Sequence, residues 1–228
     1  IGTICTSMPP PEMPRKALQS GTGGTVVARA TILGGKVVGV EILRANPRSL
    51  FDAAVRSVPA QPAVLDPPNR DVLIGGSPLR LTFQEVADLA DGYSLRLLEI
   101  GLGRDDILVT QLPNVAEYPA LYLAALRLGI IVSPVPMQYR RHELEQIVDL
   151  TGARALLTVP TLKGADYATE AMDLGRSRPL KILCLGTDAP EGSLPFVPAA
   201  LTPKSRAALA AHVDASQVSA DDVATICW

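Results

Sequence analysis

The chain has 228 residues, 47% of them hydrophobic, which suffices to bury one or two cores, and no long uncharged apolar run offers a transmembrane helix. A pI near 5.7 and 4% aromatic residues give no support for nucleic-acid binding. Two histidines (His142, His212) and three cysteines (Cys5, Cys184, Cys227) without a C-x-x-C spacing argue against a zinc site.

Charge divides the chain near Pro59. Residues 1–58 carry 7 Lys and Arg against 3 Asp and Glu, whereas residues 59–228 carry 14 against 20. Such a change of sign marks two modules. In the first, Met8–Pro14 reads as an extended proline-rich lead-in and Arg15–Ser20 as a short helix ended by Gly21–Gly24. That glycine cluster is no phosphate loop, because no Gly-Lys-Ser/Thr follows it. Thr25–Leu33 and Lys36–Leu43 are β-rich runs joined by Gly34-Gly35, a two-residue hairpin signal. Ser49–Val58 reads as a helix with Leu50, Ala54 and Val58 on one face.

In the second module the period alternates between strand and helix. Leu79–Leu81 is a short strand, and Thr82-Phe-Gln-Glu85 is a capping box opening a helix that closes at Gly101 or Gly103. Ile107–Leu112 is a buried strand, followed by a helix to Leu128 that tolerates Pro119 in its first turn. Then come strand Ile130–Val135, helix His142–Leu150 with Leu144, Ile147 and Val148 inward, strand Ala153–Val159, helix Ala165–Leu174 and strand Leu180–Leu185. Ala189–Pro203 reads as a loop, Lys204–His212 as a helix and Val223–Trp228 as a final strand. The expected fold is α/β: a layered, mostly parallel sheet with flanking helices, preceded by a small α+β hairpin module.

Two resemblances attach to these patterns. Pro11–Leu18, Gly24–Ile32, Gly35–Ile42 and Phe51–Arg56 together resemble the C-terminal domain of TonB energy transducers, with the last strand of that domain and a late partner for Cys5 lacking after Val58. That resemblance implies a periplasmic module that binds a receptor peptide by strand addition. Residues 49–228 resemble the amino-terminal part of the adenylate-forming acyl- and aryl-CoA synthetases. The carriers are Leu81–Ala87, Gly101–Ile107, Gln111–Asn114, Leu123–Gly129, Pro134–Pro136, Arg141–Leu144, Gly152–Leu156 and Asp221–Ile226.

The second resemblance implies activation of a carboxylic acid with ATP and Mg²⁺, transfer of the acyl group to coenzyme A, and a cytoplasmic setting, the periplasm being the alternative. It also implies that the Ser/Thr/Gly-rich phosphate loop, its lysine and a C-terminal lid lie beyond Trp228, so that the chain alone is expected to be inactive. No catalytic, cofactor-binding or metal-ligating residue is therefore assigned here. His142 reads as a solvated or capping histidine, Tyr139-Arg140-Arg141 as a wet helix start, and Asp105-Asp106 as turn chemistry. Ser133 sits in no G-x-S-x-G elbow, and Cys184 reads as a small buried hydrophobe. An incomplete sheet raises the further expectation of self-association.

Overall fold

The computed structural model describes residues 26–33, 36–45, 55, 58–219 and 221–228. Two compact units divide the chain, residues 1–53 and residues 54–228. In the first, strands β1 (Val26–Leu33) and β2 (Lys36–Ala45) pair antiparallel, with register shifts between Val27 and Ala28 and between Thr31 and Ile32. The two strands match the hairpin expected from the sequence. Gly34-Gly35, the proline-rich lead-in, the Arg15–Ser20 helix and Cys5 lie outside the described residues. So does Ser49–Val58, apart from Val55 and Val58.

The second unit begins with an antiparallel pair, β3 (Pro62–Leu65) and β4 (Arg80–Thr82), and between them lies a single helical turn, α1 (Arg70–Leu73). Helix α2 (Phe83–Ile100) starts where the capping box predicts. The Thr82 hydroxyl accepts from the Glu85 amide at 3.2 Å, and the Glu85 carboxylate accepts from the Thr82 amide at 2.8 Å. That last hydrogen bond holds the exposed Glu85 carboxyl below its usual range. Gly101 closes the helix at φ 83°, a left-handed cap that favours glycine.

Five strands then build one parallel sheet: β5 (Ile107–Thr110), β6 (Ile131–Pro134), β7 (Ala155–Thr158), β10 (Lys181–Leu185) and β11 (Leu194–Phe196), in the order β11-β10-β7-β5-β6. A small hairpin of β8 (Thr161–Leu162) and β9 (Ala165–Asp166) projects after β7. Helices α3 (Glu117–Leu128), α4 (Arg141–Thr151), α5 (Ala168–Gly175) and α6 (Pro203–Ala215) complete the unit.

Alternation along the strands sorts the core. Val109, Leu156 and Ile182 lie in one cluster with Leu144, Ile147 and Val148 of α4 and Ala171 and Leu174 of α5. One residue out of phase, Leu108, Leu157 and Leu183 face the other way and are fully buried. On that face the Thr110 hydroxyl meets the Tyr118 hydroxyl of α3 at 2.7 Å, and Tyr93 of α2 stacks on Phe196 of β11. Right-handed crossovers explain the division: β6 and β7 flank β5 on opposite sides, so α3 and α4 must cover opposite faces.

Three expectations need correction. Helix Ala165–Leu174 starts three residues late, because Lys163 (φ 50°) and Gly164 (φ 79°) make a tight turn that commits Ala165–Asp166 to β9. The stretch Ala189–Pro203 is not wholly loop, since Leu194–Phe196 pairs parallel with Leu183–Leu185. Val223–Trp228 is no regular strand; it joins β6 through one parallel bridge, Val132 to Thr225, held by Val132 N–H to Ala224 O and Ile226 N–H to Val132 O, both 3.1 Å. That bridge engages the outer edge of β6, and nothing in the structure supports the expected self-association through an exposed sheet.

Candidate functional site

Strand β5 is the point where the order of the sheet reverses: the chain leaves it for β6 on one side and returns to β7 on the other. In sheets of this kind ligands bind outside the carboxyl ends of the strands, beside that reversal. Gln111, 1% exposed, follows β5 at this edge. Its amide N–H donates to Leu157 O at 2.8 Å, and its side-chain Nε2 donates to Tyr139 O at 2.8 Å and Pro136 O at 3.3 Å. Gln111 therefore pins the loop after β6, and the Tyr167 hydroxyl, donating to Met137 O at 2.9 Å, pins it from the other side. The final segment is tied in by side chains as well: Trp228 Nε1 donates to the buried Ser133 Oγ at 2.8 Å, and Tyr122 and Thr225 hydroxyls lie 2.9 Å apart.

Further along the same edge a cleft of about 720 Å³ opens past the carboxyl ends of β7, β10 and β11, with the Arg70–Gly75 segment as its opposite wall. Its anchor is Arg70, 8% exposed. Arg70 Nη1 donates to Asp66 Oδ2 at 2.6 Å and to Glu117 Oε2 at 2.8 Å, and Nη2 donates to Glu117 Oε1. Asp66 also accepts from the Ala116 amide at 2.6 Å and the Leu79 amide at 2.8 Å. One buried carboxylate thereby joins the β3–β4 connection to the start of α3. The Glu117 hydrogen bond leads the causes that hold the Arg70 guanidinium above its ordinary value, against the opposing effect of burial.

Burial also acts on two tyrosines near these elements. It pushes the Tyr93 hydroxyl well above its ordinary value and Tyr118 up to about 12, the Thr110 hydrogen bond partly opposing the latter. A raised folded value means that these groups stabilise the fold fully below the ordinary tyrosine range and cease to do so as pH rises through the folded value. We expect the melting temperature to fall between pH 10 and about 12. Tyrosinate absorbance should show a late step there, and Tyr118→Phe should remove part of it. A native chain whose tyrosinate signal is complete below that window would contradict this.

The residues weighed from sequence do not converge on a site. His142 is exposed and its ring meets Gln146 Nε2 at 3.1 Å on its own helix. Arg140 lies 4.6 Å over the Tyr167 ring and pairs with Glu170 at 3.2 Å, while Arg141 pairs with Glu145 at 2.9 Å, so neither cation awaits an anion. Asp105 takes φ 66°, and Asp106 accepts from the Gly103 amide at 2.8 Å and pairs with Arg154 at 3.0 Å. Ser133 serves the indole of Trp228 as an acceptor. Cys184 is buried, with its thiol pushed up by desolvation, and Cys227 is exposed. Among the described residues no group of three or more His, Cys, Asp or Glu side chains could hold a metal ion. These residues do not fit a Mg²⁺–nucleotide complex. The Arg70 cluster escaped sequence reasoning because its carboxylates stand 4 and 47 positions away in the chain, with no fixed spacing to reveal them.

A parallel α/β sheet with helices on both faces, its reversal edge fixed by Gln111, places residues 54–228 in the doubly wound α/β class. Residues 51–228 match the family model described as AMP-binding enzyme, and the chain belongs to that family. It is 29% identical over 163 residues to the 2-hydroxy-7-methoxy-5-methyl-1-naphthoate–CoA ligase of Streptomyces carzinostaticus, covering 70% of this chain and 29% of that protein. It is 33% identical over 116 residues to a salicylyl-CoA synthase/salicylate adenylyltransferase of a Streptomyces species, covering 48% and 21% respectively. A long-chain-fatty-acid–CoA ligase of Archaeoglobus fulgidus shares the fold, with TM-score 0.57 and 16% identity over 78% of this chain and 33% of that one. The chain thus spans less than a third of the length of these two curated relatives. Residues 51–228 resemble the amino-terminal part of acyl- and aryl-CoA ligases.

Proposed function

We propose that residues 51–228 form the amino-terminal scaffold of an enzyme that activates a carboxylic acid with ATP and passes the acyl group to coenzyme A. The observation that carries this reading is the family match across the whole second module, on a sheet whose reversal edge is fixed by Gln111, Tyr167 and Trp228. ATP and Mg²⁺ would supply the leaving pyrophosphate and its charge neutralisation, and coenzyme A the accepting thiol. The role of this chain is to hold the sheet edge and its loops in fixed register, because positioning of reactants depends on supports that do not move. An aromatic carboxylate is the first substrate to test, since the two curated relatives are named for such acids. Use of ATP and coenzyme A favours the cytoplasm. The receptor-peptide role of residues 1–58, and the periplasmic setting that goes with it, rest on resemblance alone.

The test is pyrophosphate release with ATP and salicylate, measured on the chain alone and on a chimera. In the chimera residues 51–228 replace the matching segment of the salicylate adenylyltransferase. The chain alone should release none, and the chimera should regain turnover. Turnover by the chain alone would overturn the scaffold role, and so would a folded chimera with none.

A further inference from the structure

Each border strand of the five-stranded sheet carries a proline, and the phase of the strand turns that proline outward. In a β-ladder the N–H and C=O of one residue point to the same side, and those of the next to the other. On β11 the Phe196 carbonyl sets the phase, accepting from the Gly186 amide at 3.1 Å on the side of β10. Leu194 shares that phase, so Pro195 is the residue of β11 that faces away from the sheet. It has no N–H to offer. Its carbonyl is taken as well, accepting from Arg96 Nη2 of α2 at 2.8 Å.

The opposite border follows the same rule. Ile131 of β6 turns toward β5, its amide donating to Asp106 O at 2.9 Å, so Val132 and Pro134 face outward. Val132 is occupied on both sides of its peptide by Ala224 O and the Ile226 amide, and Pro134 has no N–H.

A bare strand border is a template for pairing with another chain. Leu194 and Pro195 are both exposed, so the β11 border is closed by hydrogen-bond chemistry and not by a covering element. The Arg96 Nε–H is buried without a partner among the described residues. The fold carries that cost while Nη2 stays on the Pro195 carbonyl.

We propose that Pro195 and Arg96 form a lock on the β11 border. The lock denies a second copy of this chain the donor and the acceptor that strand addition needs. Without it, two copies related by a twofold axis could exchange N–H and C=O at position 195 reciprocally, as in the closely spaced pair of an antiparallel ladder.

The test uses the whole chain and the double replacement Pro195→Val with Arg96→Met. The first restores the outward donor on an exposed, β-favouring side chain, and the second frees the carbonyl while keeping an apolar stem. Sedimentation over a concentration series should show the double variant associating roughly tenfold more tightly than the native chain. The amide at position 195 should then exchange with solvent roughly tenfold more slowly in concentrated than in dilute samples. Pro195→Val alone leaves the Arg96 clamp in place, so it tests the lock even where the double variant misfolds. It should associate more than the native chain and less than a folded double variant. Association of either folded variant no stronger than native would overturn the proposal. So would association with the position 195 amide unprotected, since the contact would then lie elsewhere. Protection of that amide in dilute samples would also overturn it, because the position would not face outward. None of these readouts depends on acyl-adenylate formation.

Discussion

Arg70→Ala should lower the unfolding free energy by about 3–5 kcal/mol, read from urea denaturation. The loss comes from what the arginine leaves behind. Its side chain is 10% exposed, that of Asp66 is 0% exposed and that of Glu117 is 14% exposed. Removing the guanidinium strands two carboxylates where water barely reaches, and a buried charge without its partner costs far more than the pair contributes together. Asp66 cannot turn away to solvent, because its oxygens also accept from the Ala116 and Leu79 amides. Arg178→Ala is the control, since Arg178 pairs with Asp149, whose side chain is 58% exposed, at 2.7 Å. That loss should stay within about 1 kcal/mol. A loss at Arg70 no larger than at Arg178 would show that water enters the cluster freely.

Gly92→Val should cost about 2–3 kcal/mol, against the usual expectation that replacing a helical glycine helps. Gly92 lies inside α2, where a side chain would improve helix propensity by a few tenths of a kcal/mol. A Cβ there would sit 2.7 Å from Pro198 Cβ and 3.1 Å from Ala199 O. The first neighbour belongs to a rigid ring, which has no rotamer to yield. The second belongs to the backbone, and the Ala199 amide donates to Gly92 O at 3.0 Å. Valine must therefore push residues 198–199 off the helix, and the Ala199 amide should lose its protection from hydrogen exchange. Unchanged stability, or an Ala199 amide that stays protected, would show that the segment shifts without cost.

Much of the second module could be read from its residues, and the reasons are local. Thr82 and Glu85 name a helix start by their own hydrogen bonds. Leu144, Ile147 and Val148 fall on one helical stripe, and the structure buries all three. The alternation of strand and helix then left few topologies open. Elements held by partners distant in sequence stayed hidden. Strand β11 is Leu-Pro-Phe, and proline argues against a strand except at a sheet edge, which is where β11 lies. Strands β8 and β9 are two residues each, too short for a period to show. Strand β3 needs β4 beside it, across the 14 residues that separate them, before its pairing has meaning. The cleft and its Arg70 cluster are products of the assembled sheet and carry no motif. Gln111 stands in the quoted Gln111–Asn114 run, but its task of holding the Pro136–Tyr139 turn emerges only in three dimensions.

The placement of β5 has a consequence for how this sheet can be made. It is the earliest of the five strands to leave the ribosome, and it ends up in the interior. Each later arrival then finds a vacant border: β6 on one flank, β7 on the other, β10 outside β7, β11 outside β10, and Ala224–Ile226 outside β6. No pair, once zipped, must reopen to admit a newcomer. Growth can proceed outward in the order of synthesis, which shortens the time that half-built parallel borders stand unpaired.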